Sequence, residues 1–166
     1  MELFRNKRLF IELTQYTLPG GRAKEGVIAH PGDAVVVLPK CGKSCWLLIR
    51  QYRFAVSSYI LEAPAGKIEQ GESPVETAKR ELIEETGYQA GAMIEKGWIY
   101  TTPGFSDEKL HLFEAQDLTP SVAFEKDEDE LIELVTVTEQ ELELMCLDGR
   151  VSDAKTISIV YRCLRG

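Results

Sequence analysis

The stretch Gly66–Tyr88, GKIEQGESPVETAKRELIEETGY, contains the most fully specified helix of the chain. Ser73 is a favourable N-cap, Pro74 suits the first helical position, and Glu76, three residues after the cap, completes a capping box. Gly87 supplies a residue that tolerates the left-handed conformation in which many helices end. The sequence therefore predicts a helix that begins at Ser73 and stops just before Gly87, and the interpretation of the chain starts from this helix.

Three glutamates crowd the second half of this helix, where the helix dipole favours cations. They are Glu81, Glu84 and Glu85. Glu81 and Glu85 form a like-charge pair one turn apart, which destabilises an isolated helix by about 0.2–0.5 kcal/mol. On a helical wheel the acids border an apolar stripe that we expect to face the core. The stripe comprises Val75, Ala78 and Leu82.

Two explanations fit this crowding. The acids could form a solvated face in which Arg80 bridges Glu84 or Glu76, as most charge runs do. Alternatively, they could hold a hard divalent cation, for which oxygen ligands and retained waters suit Mg²⁺, with Mn²⁺ as a substitute. The position of the acids beside the apolar stripe, at the unfavourable helix end, favours the cation.

These residues resemble the signature of the Nudix family, the Nudix box: Gly, five residues, Glu, seven residues, then Arg-Glu-apolar-any-Glu-Glu-any-Gly-apolar. The box positions here are Gly66, Glu72, Arg80, Glu81, Leu82, Glu84, Glu85, Gly87 and Tyr88, and only the aromatic last residue departs from the pattern. Nudix enzymes hydrolyse a nucleoside diphosphate linked to another group, using magnesium held by the box glutamates. The resemblance implies that Glu81 and Glu85 are the principal metal ligands, Glu84 a further or water-mediated ligand, and Arg80 a partner that orients the acids. It makes Gly66, Glu72 and Gly87 structural members of the box.

The flanking segments are similar to ADP-ribose pyrophosphatases and related enzymes that cleave nucleotide sugars. The segments are HPGDAVVVLP, IRQYRFAV, LEAPAGKIEQGE and TTPGFSDEKLHLF, and Pro103 follows Gly87 by sixteen residues, the spacing associated with that subfamily. This resemblance implies that the carbonyl of Ala65 is a metal ligand and that Arg53 holds the diphosphate. It also implies that Glu108 contacts the terminal ribose and that the main chain of Ile68 contacts the substrate.

An acidic segment, FEKDEDELIEL, follows the box and is expected to supply the general base in this subfamily. We choose Glu128 as the base and Glu130 as an additional metal ligand. The other acids remain alternatives or solvated side chains; they are Glu125, Asp127 and Asp129.

Composition restricts the remaining possibilities. The net charge of −8 argues against a protein that tracks nucleic-acid phosphates. The N-terminus lacks a signal-peptide pattern and no apolar run approaches the length of a membrane span, so we expect a cytoplasmic protein without a membrane partner. The four cysteines show no metal-type spacing, and we expect reduced thiols. Histidine is scarce, which disfavours zinc sites and histidine-dependent triads.

The pattern of strands and helices predicts one domain over residues 1–166, of α/β (α+β) class. We expect the Nudix fold, a mixed β-sheet flanked by helices in an α/β/α sandwich, with an N-terminal β-strand extension. The resemblance implies a homodimer in which residues 1–28 reach the partner subunit. The preferred function is hydrolysis of ADP-ribose or a related ADP-sugar. The alternatives are a hydrolase of another nucleoside diphosphate sugar, such as a GDP- or UDP-sugar, and a non-catalytic sensor of such nucleotides.

Overall fold

The fold is taken from a computed structural model that describes residues 1–122 and 132–166. Within these residues the chain forms ten strands and three helices. In chain order they are β1 (Glu2–Arg5), β2 (Phe10–Thr17), β3 (Ala23–His30), β4 (Ala34–Gly42), β5 (Cys45–Arg53), β6 (Ser58–Glu62), β7 (Ala65–Lys67), α1 (Pro74–Thr86), β8 (Tyr88–Tyr100), β9 (Lys109–Pro120), β10 (Ile132–Thr138), α2 (Glu139–Asp148) and α3 (Ala154–Leu164).

The larger sheet is mixed, as predicted. Its strands run in the order β10-β5-β4-β9-β8, with β6 added to β5 and β7 added to β4. The β4–β9 pair is parallel, and the other pairs are antiparallel. The short strand β7 pairs residues 65–67 with the start of β4, which fixes the beginning of the Nudix box against the middle of the sheet.

Strand β4 shows why helices cover both faces of this sheet. It is buried along its apolar run, as expected for a strand that is covered on both sides. Val35 and Val37 pack with Ala78 and Leu82 of α1, whereas Val36 and Leu38 pack with residues of α2 and α3. Because alternate side chains of a strand point to opposite faces, α1 lies on one face and α2 and α3 on the other. The predicted α/β/α sandwich is confirmed.

The N-terminal residues form a separate antiparallel sheet, β1-β2-β3, which corresponds to the predicted N-terminal β-strand extension. This sheet contacts the loop between β8 and β9, since the Ala29 amide donates a hydrogen bond to the Phe105 carbonyl at 2.8 Å. Several of its large apolar side chains are exposed, namely Leu3, Phe4, Tyr16 and Val27. None of the three described helices has the length and apolar character needed to cross a bilayer.

Two expectations were wrong. Val75 is 37% exposed, because the buried positions of α1 begin only at Thr77 and then continue along the helix face that carries Glu85. Cys41 and Cys45 form a disulfide across the β4–β5 hairpin, where the turn brings their Cα atoms to 5.1 Å. The sequence spacing alone did not show that these two positions would face each other across a tight turn. Cys146 and Cys163 are free thiols, as expected.

Candidate active site around the Nudix box

The caps of α1 hold the helix in a fixed register. The Glu76 carboxylate accepts hydrogen bonds from the Ser73 amide at 2.8 Å and from its hydroxyl at 2.6 Å. Gly87 ends the helix with φ of 75°, and its amide donates to the Ile83 carbonyl at 2.8 Å. Only glycine adopts this backbone conformation without steric cost. The positions of the acidic side chains are therefore set by a rigid helix.

Strand β7 lies directly against two of the helix acids. The Ala65 amide donates a hydrogen bond to Glu85 Oε2 at 2.8 Å. At Gly66, an added Cβ would come within 1.8 Å of Glu81 Oε1, so the absence of a side chain there is what lets Glu81 approach the strand. The first glycine of the box thus has a steric role toward the second glutamate.

Arg80 binds three carboxylates at once. Its guanidinium donates to Glu72 at 2.9 and 3.0 Å, to Glu81 at 2.7 Å and to Glu84 at 2.9 Å, and it also donates to the Lys67 carbonyl at 3.1 Å. The hydrogen bond from Arg80 is the main reason why the pKa of Glu72 is lowered to about 2. The predicted bridge to Glu84 is present, whereas the alternative bridge to Glu76 is absent from the described contacts because Glu76 caps the helix.

The three helix acids differ in burial. Glu85 is 8% exposed and the side chain of Glu81 is 12% exposed, whereas that of Glu84 is 52% exposed. In the described part of the chain, no group of three or more His, Cys, Asp or Glu side chains is arranged closely enough to hold a metal ion. The three carboxylates predicted to converge are instead drawn toward Arg80 and the Ala65 amide. The donor set still suits a hard divalent cation, since it offers oxygen ligands with negative charge in excess.

Arg53 is held by a buried acid that sequence reasoning missed. Its Nε and Nη2 atoms donate to the two oxygens of Glu62, at 2.8 and 2.6 Å. Glu62 is 1% exposed and also pairs with Lys155. Burial raises the pKa of Glu62, but the hydrogen bonds and charges of Arg53 and Lys155 outweigh it, so the pKa is lowered overall. The signal that could have found Glu62 is an acid inside the apolar run YILEAP.

Two further predicted site residues are Ile68, near the start of the box, and Glu108. The Ile68 amide donates to the Asp33 carbonyl at 3.0 Å, and its side chain packs against the α1 side of the core. Glu108, at the end of the β8–β9 loop, accepts a hydrogen bond from the Thr101 hydroxyl at 2.7 Å. Burial lowers the pKa of Lys67 of β7, and the negative charge of Glu108 partly opposes this shift.

The β8–β9 loop is fastened to the N-terminal sheet through His30. Its Nδ1 lies 2.6 Å from an Asp107 oxygen and its Nε2 lies 3.4 Å from Glu12, and the pKa of His30 is raised chiefly by the hydrogen bond to Asp107. The backbone of Ala29 also bonds to this loop. The loop that carries Glu108 is therefore joined to the N-terminal sheet at Phe105 and Asp107.

The proposed base Glu128 and metal ligand Glu130 lie outside the described residues, as do the alternatives Glu125, Asp127 and Asp129. The structure brings the box acids Glu81 and Glu85 together with Arg80 and Ala65, and the charge of Glu85 acts on Arg53. A cavity of about 560 Å³ opens elsewhere, and none of the predicted site residues within 1–122 and 132–166 lines it. Its lining residues are Lys40, Cys41, Gly42, Lys43, Gln116, Asp117 and Leu118.

Comparison with known proteins gives one consistent family. The NUDIX domain model matches residues 28–158. The chain is 40% identical to an ADP-ribose pyrophosphatase of Bacillus subtilis (strain 168), over 93% of this chain and 84% of the relative. It is 36% identical to a methanol dehydrogenase activator of Bacillus methanolicus, over 96% of this chain and 86% of the relative. It is also 36% identical to a GDP-mannose pyrophosphatase of Yersinia enterocolitica, over 69% of this chain and 63% of the relative.

A solved structure gives the same result at the level of the fold. The crystal structure of an ADP compounds hydrolase superimposes with a TM-score of 0.86 at 26% identity, covering 99% of this chain and 89% of that one. The family resemblance, the fold and the enzyme class predicted from the sequence are thereby confirmed. With its box helix, its sandwich and these relatives in agreement, the chain belongs to the Nudix hydrolase family.

Proposed function

We propose that this chain hydrolyses the diphosphate bond of ADP-ribose, or of a related ADP-sugar, to AMP and a sugar phosphate, with Mg²⁺ as the cofactor. One observation carries the proposal: Glu81 and Glu85 are both nearly buried and both lie against the backbone of β7. The 40% identity to an ADP-ribose pyrophosphatase supports the choice of substrate class. For ADP-ribose, the sugar phosphate is ribose 5-phosphate.

Glu81 and Glu85 would hold the metal together with the carbonyl of Ala65, and Glu84 and Glu130 would complete the ligand set. When bound, Mg²⁺ neutralises the diphosphate and lowers the pKa of a coordinated water, and Mn²⁺ can take its place. Arg80 orients the carboxylates of Glu81 and Glu84, since it donates a hydrogen bond to each of them.

The other residues bind the substrate or move a proton. Arg53 contacts the diphosphate through the part of its guanidinium that Glu62 does not occupy. Glu108 contacts the terminal ribose, and the main chain of Ile68 contacts the nucleotide. Glu128 accepts the proton of the attacking water at its carboxylate.

The role of Glu128 can be tested separately from the metal ligands. We expect Glu128→Gln to lose most of kcat while the affinity for Mn²⁺, measured by titration, is largely retained. Unchanged turnover in this variant would transfer the role to Glu130, Glu125 or a box acid.

A second candidate activity is the hydrolysis of another nucleoside diphosphate sugar, which is favoured by the similarity to GDP-mannose pyrophosphatases. A non-catalytic sensor is the alternative from a different class. The complete set of box acids argues against it, since binding alone does not need all of them.

We further propose a cytoplasmic homodimer in which residues 1–28 extend to the partner subunit. The exposed apolar side chains of β1, β2 and β3 support this assembly, because such side chains on a small sheet mark an interaction surface. Light scattering coupled to size exclusion should give the mass of two chains. A monomer at working concentration would contradict the dimer.

The deciding experiment is a substrate panel with and without Mg²⁺. The panel comprises ADP-ribose, GDP- and UDP-sugars, dinucleoside polyphosphates and NADH, with product release as the readout. We expect ADP-ribose to have the highest kcat/KM and turnover to require the metal. Preference for a GDP-sugar would select the second candidate, and binding without turnover of any compound would select the sensor.

A further inference from the structure

Arg53, Glu62 and two residues at the N-terminus of α3 form an ion-paired group, which we call the Glu62 network; its members are Arg53, Glu62, Asp153 and Lys155. Glu62 is almost fully buried and binds both cations, and Lys155 also lies 3.0 Å from Asp153. The two positive and two negative charges balance within the network. A buried carboxylate is strongly disfavoured without such partners. Separating Glu62 from Arg53 and Lys155 is therefore unfavourable, and Glu62 holds both cations in place.

The orientation of Arg53 within the network is specific. Glu62 occupies the edge formed by Nε and Nη2, in the two-point geometry that fixes a guanidinium in its plane. The remaining terminal nitrogen, Nη1, makes no hydrogen bond to residues 1–122 or 132–166. The side chain is 39% exposed, and it is close enough to Glu85 for their charges to interact. A donor is therefore left on the side of the guanidinium away from Glu62, and the charge of Glu85 in the box acts on the same guanidinium.

The same network anchors the backbone that leads into the box. The Ala63 amide, next to Glu62, donates to the Thr156 hydroxyl at 2.8 Å, and that hydroxyl donates to Asp153 at 2.5 Å. Two residues further on, the Ala65 amide bonds to Glu85. The segment 62–65 is thus tied to α3 at one end and to α1 at the other.

We propose that Glu62 is a positioning residue for substrate binding: it holds Arg53 by one edge so that the opposite edge is presented to the diphosphate, and Lys155 keeps Glu62 ionised and in place. This inference rests on the proposed function, because it takes a nucleoside diphosphate sugar as the ligand. The affinity for the diphosphate then depends on the carboxylate of Glu62, which does not bind the ligand itself because both are negatively charged.

The test is a double-mutant cycle on substrate affinity. The dissociation constant of ADP-ribose is measured by calorimetry in EDTA, where hydrolysis does not proceed, for the parent, Arg53→Met, Glu62→Gln and the double variant. We expect Arg53→Met and Glu62→Gln each to weaken binding by about 10-fold or more, and the double variant to be no weaker than Arg53→Met alone. In the active enzyme, Glu62→Gln should raise KM more than it lowers kcat.

Two further variants separate positioning from general stability. Glu62→Asp keeps the charge but withdraws the carboxylate from the guanidinium, so it should lose affinity while remaining folded even if Glu62→Gln does not. Glu114→Gln is the matched control, since Glu114 is also buried and paired with a lysine, Lys96 at 2.8 Å, but lies on β9 and is not a member of the Glu62 network. It should lower the melting temperature and leave the affinity for ADP-ribose unchanged.

The outcomes are distinct. Additive losses in the double variant, or unchanged affinity in both Glu62 variants, would overturn the positioning role while leaving the proposed function intact. If the parent protein binds none of the nucleotide sugars, the proposed function fails first, whatever the Glu62 variants show.

Discussion

Two ionic groups flank the segment 62–65, and they are built in opposite ways. Around the box, one cation, Arg80, serves three carboxylates, and Glu85 adds a fourth acid beside them. In the Glu62 network, one buried carboxylate serves two cations. The first group has negative charge in excess and is partly open to solvent, whereas the second is balanced and largely enclosed.

The difference matches the two ligands of the proposed function. An excess of carboxylates that a single arginine cannot neutralise is stabilised by a divalent cation. A balanced pair that leaves one guanidinium edge available provides a donor for an anion without placing an isolated charge in the interior. Under the proposed function, the box acids would accept the cation and Arg53 the diphosphate, on either side of one short segment.

The largest effect is expected for Glu85→Gln. The amide oxygen can still accept the hydrogen bond from Ala65, so the fold should persist, and relief of like-charge repulsion should leave the melting temperature unchanged or higher. Loss of a principal ligand should nevertheless reduce Mg²⁺-dependent hydrolysis by at least about 10³-fold. Steady-state kinetics and Mn²⁺ titration measure the two effects. Full activity in this variant would remove the metal site from the box.

Gly66→Ala should have the next largest effect. The new methyl group would overlap the Glu81 carboxylate, which must then move away from β7. We expect activity to fall by about 10²-fold, because a displacement of about 1 Å at a reacting group costs that much. Gly42→Ala is the control, since its Cβ would meet only Cys45 at an ordinary distance of 3.7 Å. Equal activities of the two variants would show that the contact between Gly66 and Glu81 is unimportant.

Lys155→Met tests the balanced group through stability. Glu62 keeps Arg53 but loses its second cation, and we expect a loss of about 2 kcal/mol in the free energy of unfolding at neutral pH. Because the pKa of Glu62 is lowered in the folded state, its pairing stabilises the protein above the ordinary value of 4.5 and is lost as the pH falls through the folded pKa. The variant should therefore unfold in acid at a higher pH than the parent.

Thermal and acid unfolding followed by circular dichroism measure both effects of Lys155→Met. Lys43→Met, at an exposed lysine of the β4–β5 turn, is the control and should shift neither curve. An acid midpoint that is the same for both variants would show that Lys155 does not hold Glu62 ionised.

The smallest effect is expected for Glu84→Gln. Its side chain is half exposed, and Arg80 retains Glu72 and Glu81 when the Glu84 charge is removed. We expect a stability change within about 0.5 kcal/mol and a loss of activity of only a few-fold. Glu141→Gln, a comparably exposed acid paired with Arg150, is the control for stability. A loss as large as that of Glu85→Gln would make Glu84 a principal ligand after all.

The box was predictable because its residues lie close together in the chain. The capping box, the glycine stop and the spacing of the acids all depend on a single helix, and the structure has the predicted bounds and caps. Local spacing did not predict burial at the start of the helix or the pairing of cysteines across a turn. Val75 belongs to the apolar stripe by periodicity but lies before the helix meets the sheet, and the disulfide depends on how the hairpin closes.

Arg53 and Glu62 show the limit most clearly. Arg53 was expected to meet the diphosphate on the strength of its resemblance to the family, whereas no local pattern connects it with Glu62, nine residues later, or with Lys155 at the far end of the chain. These partners meet only because β5 pairs with β6 and because α3 packs on the sheet beside them.

The sequence by itself determined the box helix, its caps, the excess of acids at its end and the family, because these features are encoded in residues of the stretch Gly66–Tyr88 and in short segments beside it. The tertiary structure decided which acids are buried and that Gly66 leaves space for Glu81. It also decided that Arg53 belongs to a second ionic group, in which positive and negative charges balance. The physical reason is that burial and charge pairing depend on distances between segments that are remote in sequence. Those distances are set by strand pairing and helix packing rather than by local propensity.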